Sequence, residues 1–274
     1  MKKHYICKNC GTQFNEADSF PTECKICTDE RQYVPASGQE WTTMEQLLRS
    51  GYQNDIVEKE VNLYSIKTVP QIGIGQNAYL IRTEKGNFLW DCITYIDDKT
   101  RKKIQELGGI DGIILSHPHY YSSIVEWAES FDCPIYIHSL DRQWVTRESN
   151  RYIFWEGESL ELMPGVKAIN LGGHFDGSSV LHWKRPDGES VLLVGDTLFI
   201  VPDKGWLSFM YSQPNRIPLP SFAIEKIINI LKDYEFKRIY GAFDNNILEK
   251  GKEAVMKSAE RYIYHLNRTE KNRI

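Results

Sequence analysis

Short apolar runs, each closed by glycine, proline or a polar cluster, recur along the chain and set the expected elements. Ile113-Ile114-Leu115 after Gly112, Pro134 to His138 and Val191 to Val194 read as buried strands. Gln76 to Ile81 and Asn87 to Asp91 read as two strands joined around Lys85-Gly86, with Val61 to Val69, Val180 to Trp183 and Arg238 to Ala242 as further strands. Helical spacing follows Ser123, where Ile124, Ala128 and Phe131 share a face and Ser123-x-x-Glu126 has the form of a capping box. Thr42-x-x-Glu45 predicts a second box, for a short helix ending at Gly51. Asp97 or Asp98 is expected to cap a helix reaching Leu107 and stopped by Gly108-Gly109. Ile224, Ile227, Ile228 and Leu231 after Ser221, and then Val255, Ala259 and Ile263, give two later helices. A strand–helix rhythm mixed with hairpins predicts an α/β (α+β) chain and excludes an all-helical or all-β one.

Composition narrows the class. The 274 residues, 41% hydrophobic and 12% aromatic, can build one large domain with an appendage. No apolar run approaches the roughly 18 residues of a membrane span, so no membrane association is expected. The start, Met1-Lys2-Lys3-His4-Tyr5-Ile6-Cys7, has no apolar signal region. A net charge of -4 gives no general reason to expect nucleic acid as a partner. Four of the six cysteines fall in one compact pattern, which suits a reducing, cytoplasmic setting better than a disulfide framework.

That pattern is Cys7-x-x-Cys10 followed by Cys24-x-x-Cys27. Two such knuckles supply four thiolates in a tetrahedral array about 2.3 Å from Zn(II). Residues 1–34 are too few for a core of their own, so a metal is expected to hold this ribbon together. Rubredoxins resemble the spacing loosely, but Thr28 rather than glycine follows the second pair. Lys2, Lys3, Lys8, Lys25 and Arg31 are balanced by Glu16, Asp18, Glu23, Asp29 and Glu30, so the ribbon has no basic stripe. A scaffold role fits it, with room for a protein partner or a second copy of the chain.

Three strand ends carry the remaining chemistry. His117-Pro118-His119 follows Ile113-Ile114-Leu115, and Pro118 disfavours helical geometry at His117. His174 lies behind Gly172-Gly173, and Asp196 follows Val191 to Gly195, where a carboxylate after an apolar run needs a partner or a metal. His4, His138, His182 and His265 have no motif support, and Cys92 and Cys133 are expected to be buried thiols.

Together these segments resemble the metallo-β-lactamase-fold superfamily. His117-Pro118-His119 matches the first half of its H-x-H-x-D-H motif, Gly173-His174-Phe175-Asp176-Gly177-Ser178 its G-H-T-x-G-S segment, Gly195-Asp196-Thr197 its G-D-T, and Asn77-Ala78-Tyr79-Leu80-Ile81 its early N-x-Y-L-I strand. The resemblance spans about residues 60–200 and implies a four-layer αββα sandwich over 35–274 with a metal site at one edge of the sheets. It also implies metal ligation by His117, His119, His174 and Asp196. Where the family has Asp and His after the second histidine, the chain has Tyr121 and Ser122, and Phe243 stands where the last family histidine is expected. The second metal has lost its private ligands.

The remaining set suits one Zn(II), Fe(II) or Mn(II). Tyr120 or Tyr121 could donate a hydrogen bond to a developing oxyanion, or both could simply pack. The Pro202 to Pro214 segment, rich in aromatics, could wall a substrate pocket or pack as loop core. The leading expectation is a mononuclear metallohydrolase acting on a small ester, thioester or lactone-like molecule. Its rivals are an iron-dependent oxygenase of the same fold and a non-catalytic metal-binding scaffold. A nuclease is disfavoured by the acidic balance and the missing second metal.

Overall fold

A computed structural model describes residues 2–268 and divides the chain into two compact units, Met1–Glu156 and Gly157–Ile274. The first unit holds a seven-stranded sheet. In spatial order its strands are Tyr152–Trp155, Ile135–His138, Gly112–Ile114, Gly86–Trp90, Ala78–Thr83, Leu63–Val69 and Gln53–Glu60. The last four pair antiparallel through hairpins; from Gly86–Trp90 onward the pairing is parallel. Parallel neighbours need crossovers, and the helices Asp98–Glu106 and Ile124–Phe131 supply two of them. Ile104, Ile124, Val125, Trp127 and Ala128 from these helices share one core with Leu80, Leu89, Ile113 and Ile135. Each such fully buried aliphatic side chain contributes about 1.5–3 kcal/mol.

Asp97 caps its helix by accepting from Thr100 N, as its position predicts, and Gly108 and Gly109 follow the C-cap with positive φ. The two capping boxes turn out otherwise. At the first short helix, Met44–Leu48, the box is Thr43 with Gln46, one residue later than expected. Ser123 does sit at an N-cap position, but its hydroxyl donates to Thr94 O at 2.6 Å instead of capping. Glu126 is drawn to the guanidinium of Arg147 at 2.8 Å. A buried carbonyl and a nearby cation outcompete the helix end for both side chains.

Lys3–Cys7, Gln13–Ala17 and Trp41–Thr43 form a separate antiparallel sheet around the four cysteines. Its third strand comes from beyond residue 34, the boundary that cysteine spacing suggests.

In the second unit a six-stranded sheet runs Ser159–Met163, Val166–Asn170, Ser179–Lys184, Ser190–Val194, Arg238–Tyr240 and Asn246–Ile247. Only Ser190–Val194 and Arg238–Tyr240 pair in parallel, and the helix Ser221–Leu231 lies in the connection between them. Ile224, Ile227 and Leu231 from that helix and Val255 and Ala259 from Gly251–Leu266 join Ile169, Val180, Leu192 and Ile239 in one core. Ser221 opens its helix without capping it; its hydroxyl pairs with Asn267 Oδ1.

The Pro202 to Pro214 segment contributes the strand Leu207–Ser212, the centre of a small sheet with Leu198–Ile200 and Ile217–Pro218. Leu207 and Phe209 are core residues there, and Trp206 lies under Arg261 at 3.5 Å. Of the segment's aromatics Phe209 is buried, and Trp206 and Tyr211 are half-buried. Among the described residues, no helix is long and apolar enough to cross a membrane.

Candidate metal centre

The strand Gly112–Ile114 delivers His117 and His119. His117 is extended (φ -169°, ψ 168°), as the following proline requires, and Pro118–Tyr120 then makes a single 3₁₀ turn that carries His119. Their rings lie edge to face with centroids 5.1 Å apart, and both are buried. Ser116 Oγ lies 2.8 Å from His117 Nδ1, and Ser116 is itself anchored, its N–H donating to Asp91 Oδ1 at 2.7 Å. With Nδ1 so engaged, Nε2 is the His117 nitrogen for a ligand. Tyr120 packs its ring 4.2 Å from that of His117. Replacing Ser116 with alanine is therefore expected to lower metal affinity at this centre by about 10–100-fold with little change in melting temperature, as measured by chelator competition.

The other two candidates are fixed with comparable care. Gly172 and Gly173 both have positive φ (66° and 86°), and a Cβ on Gly173 would stand 2.8 Å from Leu219 Cδ1. Only glycine turns the chain here without strain. His174 is then held by Nδ1, 2.6 Å from Tyr211 O. A carbonyl can only accept, so Nδ1 carries a proton, and in the neutral ring Nε2 is the nitrogen with the lone pair. Asp196 follows the buried strand Ser190–Val194, and Thr197 Oγ1 donates to Gly172 O at 3.1 Å, which ties the two loops together. His174 Nε2 and Asp196 Oδ2 end 3.8 Å apart.

One ligand atom from each of His117, His119, His174 and Asp196 lies within 4.8 Å of the others, and all four residues are buried. The residues fit a metal. A neutral imidazole lone pair and a carboxylate oxygen are both acceptors, and 3.8 Å is a separation that two bonds of about 2.0–2.2 Å to a shared cation produce.

The ribbon brings Cys7, Cys10, Cys24 and Cys27 together in the same way. Their sulfurs lie 3.7 Å (Cys7 to Cys27) and 3.6 Å (Cys10 to Cys24) apart. Disulfide sulfurs would be about 2.05 Å apart, whereas a tetrahedron with bonds of about 2.3 Å has edges near 3.8 Å. Gly11 N donates to Cys7 O (2.8 Å) and Thr28 N to Cys24 O (3.0 Å), closing the two knuckles, and Asn9 Nδ2 donates to Cys27 Sγ (3.3 Å). Burial pushes the Cys10 thiol well above its usual pKa, a cost that a divalent cation reverses. Cys92 and Cys133 stand apart from both clusters; burial raises Cys92 strongly and Cys133 to about 12, so neither is a nucleophile near neutral pH.

The positions that depart from the family pattern have local partners. The Tyr121 hydroxyl donates to Asp141 O at 3.4 Å, and its ring belongs to the first unit's core. Ser122 Oγ accepts from Gln76 Nε2 at 3.0 Å. Phe243 lies against Phe199, ring centroids 6.1 Å apart. Ser116, Asp91 and Tyr211 have orienting roles that sequence reasoning missed. Of these, only Asp91, a charged residue directly after the apolar Phe88-Leu89-Trp90, carried a signal in the sequence.

Residues 72–229 match the metallo-β-lactamase superfamily domain. The chain belongs to that superfamily, and its fold is the metallo-β-lactamase sandwich. It is 51% identical over 266 residues to "Uncharacterized protein YmaE" of Bacillus subtilis (strain 168), an alignment covering 96% of this chain and 97% of that protein. Among solved structures, VMB-1 at pH 5.5 aligns with TM-score 0.58 and 12% identity over 78% of this chain and 98% of its own. A B3 metallo-β-lactamase with an active-site glutamic acid aligns with TM-score 0.54 and 14% identity (88% and 100% covered). TTHA1623 in a di-iron-bound form aligns with TM-score 0.51 and 23% identity (69% and 96%). The cysteine ribbon lies outside the matched domain.

Proposed function

We propose that the chain is a mononuclear metal-dependent hydrolase acting on a small ester, thioester or lactone-like substrate, with Zn(II) in its cysteine ribbon. The donor set carries this reading: His117, His119, His174 and Asp196 converge, while Tyr121 and Ser122, which follow directly, are committed to Asp141, Gln76 and the core. Three imidazoles and one carboxylate suit Zn(II), Fe(II) or Mn(II). When bound, such a metal supplies Lewis acidity toward a carbonyl and lowers the pKa of water to about 7.

The chain's own residues do the positioning. Asp91 and Ser116 fix the ring of His117, and the Tyr211 carbonyl fixes both ring and tautomer of His174. Tyr120 packs its ring on His117, and the Tyr121 hydroxyl donates to Asp141 O, which makes Tyr121 the weaker candidate to donate to a developing oxyanion.

The test is metal analysis of protein purified from native-like medium, followed by assays on an ester, thioester and lactone panel. Two metals per chain and metal-dependent hydrolysis are expected. Iron at the histidine site with oxygen consumption would replace this reading with an oxygenase, and absence of turnover with every metal would leave a binding scaffold.

A further inference from the structure

The ribbon and the histidine loop meet chiefly at one residue, Gln13. Gln13, three residues past Cys10, is buried and engages all four of its polar atoms. Its N–H donates to Ser122 O (2.9 Å), and its carbonyl accepts from Thr146 Oγ1 (2.6 Å). Its Nε2 donates to Glu126 Oε1 (3.1 Å), and its Oε1 accepts from the Arg147 guanidinium. A parallel link starts inside the first knuckle, where Thr94 Oγ1 donates to Gly11 O (3.3 Å) and Ser123 Oγ in turn donates to Thr94 O (2.6 Å). Ser122 and Ser123 thus fasten the far end of the loop that begins at His117.

Two further observations make this contact more than incidental packing. Ser122 has φ +46°, a left-handed conformation that a serine holds only when its surroundings over-determine it. Gln13 N and Gln76 Nε2 supply that constraint, one at the Ser122 carbonyl and one at its hydroxyl. The contact is also tight, since the cavity beside Gln13 and Ser122 measures about 10 Å³, room for about one water.

We propose that Gln13 is a positioning residue for His117 and His119, so that metal in the cysteine ribbon raises metal affinity at the histidine centre. This rests on the metal centre described above. A loaded ribbon fixes the Cys7–Cys10 knuckle and the start of the strand Gln13–Ala17, which holds Ser122 in its left-handed turn. The turn sets the path of the chain back to His119. Metal ligands held in place before binding lose less freedom when they bind, and outer partners of ligands carry much of that order. By linkage, the histidine-site metal strengthens the ribbon equally.

Co(II) titration with optical detection tests the proposal, because thiolate charge-transfer bands report the ribbon and weaker ligand-field bands report the histidine site. In Gln13→Pro, which removes the N–H donated to Ser122 O, the affinity of the ribbon with the histidine site empty is expected to stay within about twofold while the histidine-site affinity falls by about tenfold, the lower end of the range for outer-shell changes. Gln76→Ala, which removes the donor to the Ser122 hydroxyl, serves if the proline variant does not fold. Glu129→Ala, which removes an outer partner of Arg147 at 3.2 Å without touching Gln13, is expected to leave both affinities unchanged. A merely structural Gln13 would lower the melting temperature and move neither affinity, and that result overturns the proposal. A wild-type chain that binds Co(II) only in the ribbon overturns the histidine centre itself, whereas two bound ions with an unchanged variant overturn the coupling alone.

Discussion

In His174→Ala, metal content is expected to fall from two ions per chain to one, and metal-dependent turnover to drop by more than the roughly 10–100-fold typical of outer-shell changes. The substitution removes an imidazole whose Nδ1 is locked 2.6 Å from Tyr211 O and whose Nε2 lies 3.8 Å from Asp196 Oδ2. It leaves Asp196 buried, and an anion in a buried site without its cation is costly. Folding should survive, because His174 sits on a loop and takes no part in the cores of Ile169, Val180 and Leu192 or of Leu80 and Ile113. Elemental analysis beside circular dichroism checks the expectation. Two metals retained in a folded variant would mean that His174 is not a ligand.

The parts of this centre that were legible in the sequence share one physical property. Each ligand follows a buried strand or a glycine turn, where the abrupt change from apolar to polar can be read without knowing the partner. Ile113-Ile114-Leu115 before His117, Val191 to Val194 before Asp196 and Gly172-Gly173 before His174 all have this form. The cysteine knuckles were equally plain, because four thiols at that spacing answer to the metal's geometry more than to the fold.

What stayed hidden depends on long-range partners. Gln13 looks like an ordinary polar residue in a short strand; its weight comes from Ser122, Glu126, Thr146 and Arg147, all more than a hundred residues away in sequence. Ser123-x-x-Glu126 has the right local form for a capping box, but Thr94 and Arg147 claim the two side chains. The strand Gln53–Glu60 escaped notice because its run of polar and acidic residues alternates only weakly; it forms at the sheet edge, where one long hairpin partner, Leu63–Val69, is enough. Tyr121 could be read as an oxyanion donor or as packing from the sequence, and only the position of Asp141 O shows where its hydroxyl points.

Loss of the ribbon metal is expected to have the largest effect on stability. The ribbon's core consists of Cys7, Cys10, Cys24, Ile26 and Cys27, with Phe14, Trp41, Ile74 and Trp144 only partly buried around it. Apart from the thiols, that leaves Ile26, with Ile6 on the same sheet buried against Leu47 and Tyr95, and each is worth about 1.5–3 kcal/mol. Structural zinc in small fingers contributes an apparent 10–16 kcal/mol near pH 7. On those magnitudes metal coordination, and not apolar burial, holds the segment folded. In Cys24→Ser, hydrogen exchange should therefore show lost protection at Cys7, Gly11 and Cys27, whose amides close the knuckles, while the amides of Ser190–Val194 in the second unit keep theirs. Unchanged exchange at Gly11 would mean that the docking contacts of Gln13 and Asn15 hold the ribbon without metal. Protection lost at Gly11 and also along Gly112–Ile114 would instead place the ribbon metal among the forces that fold the first unit as a whole.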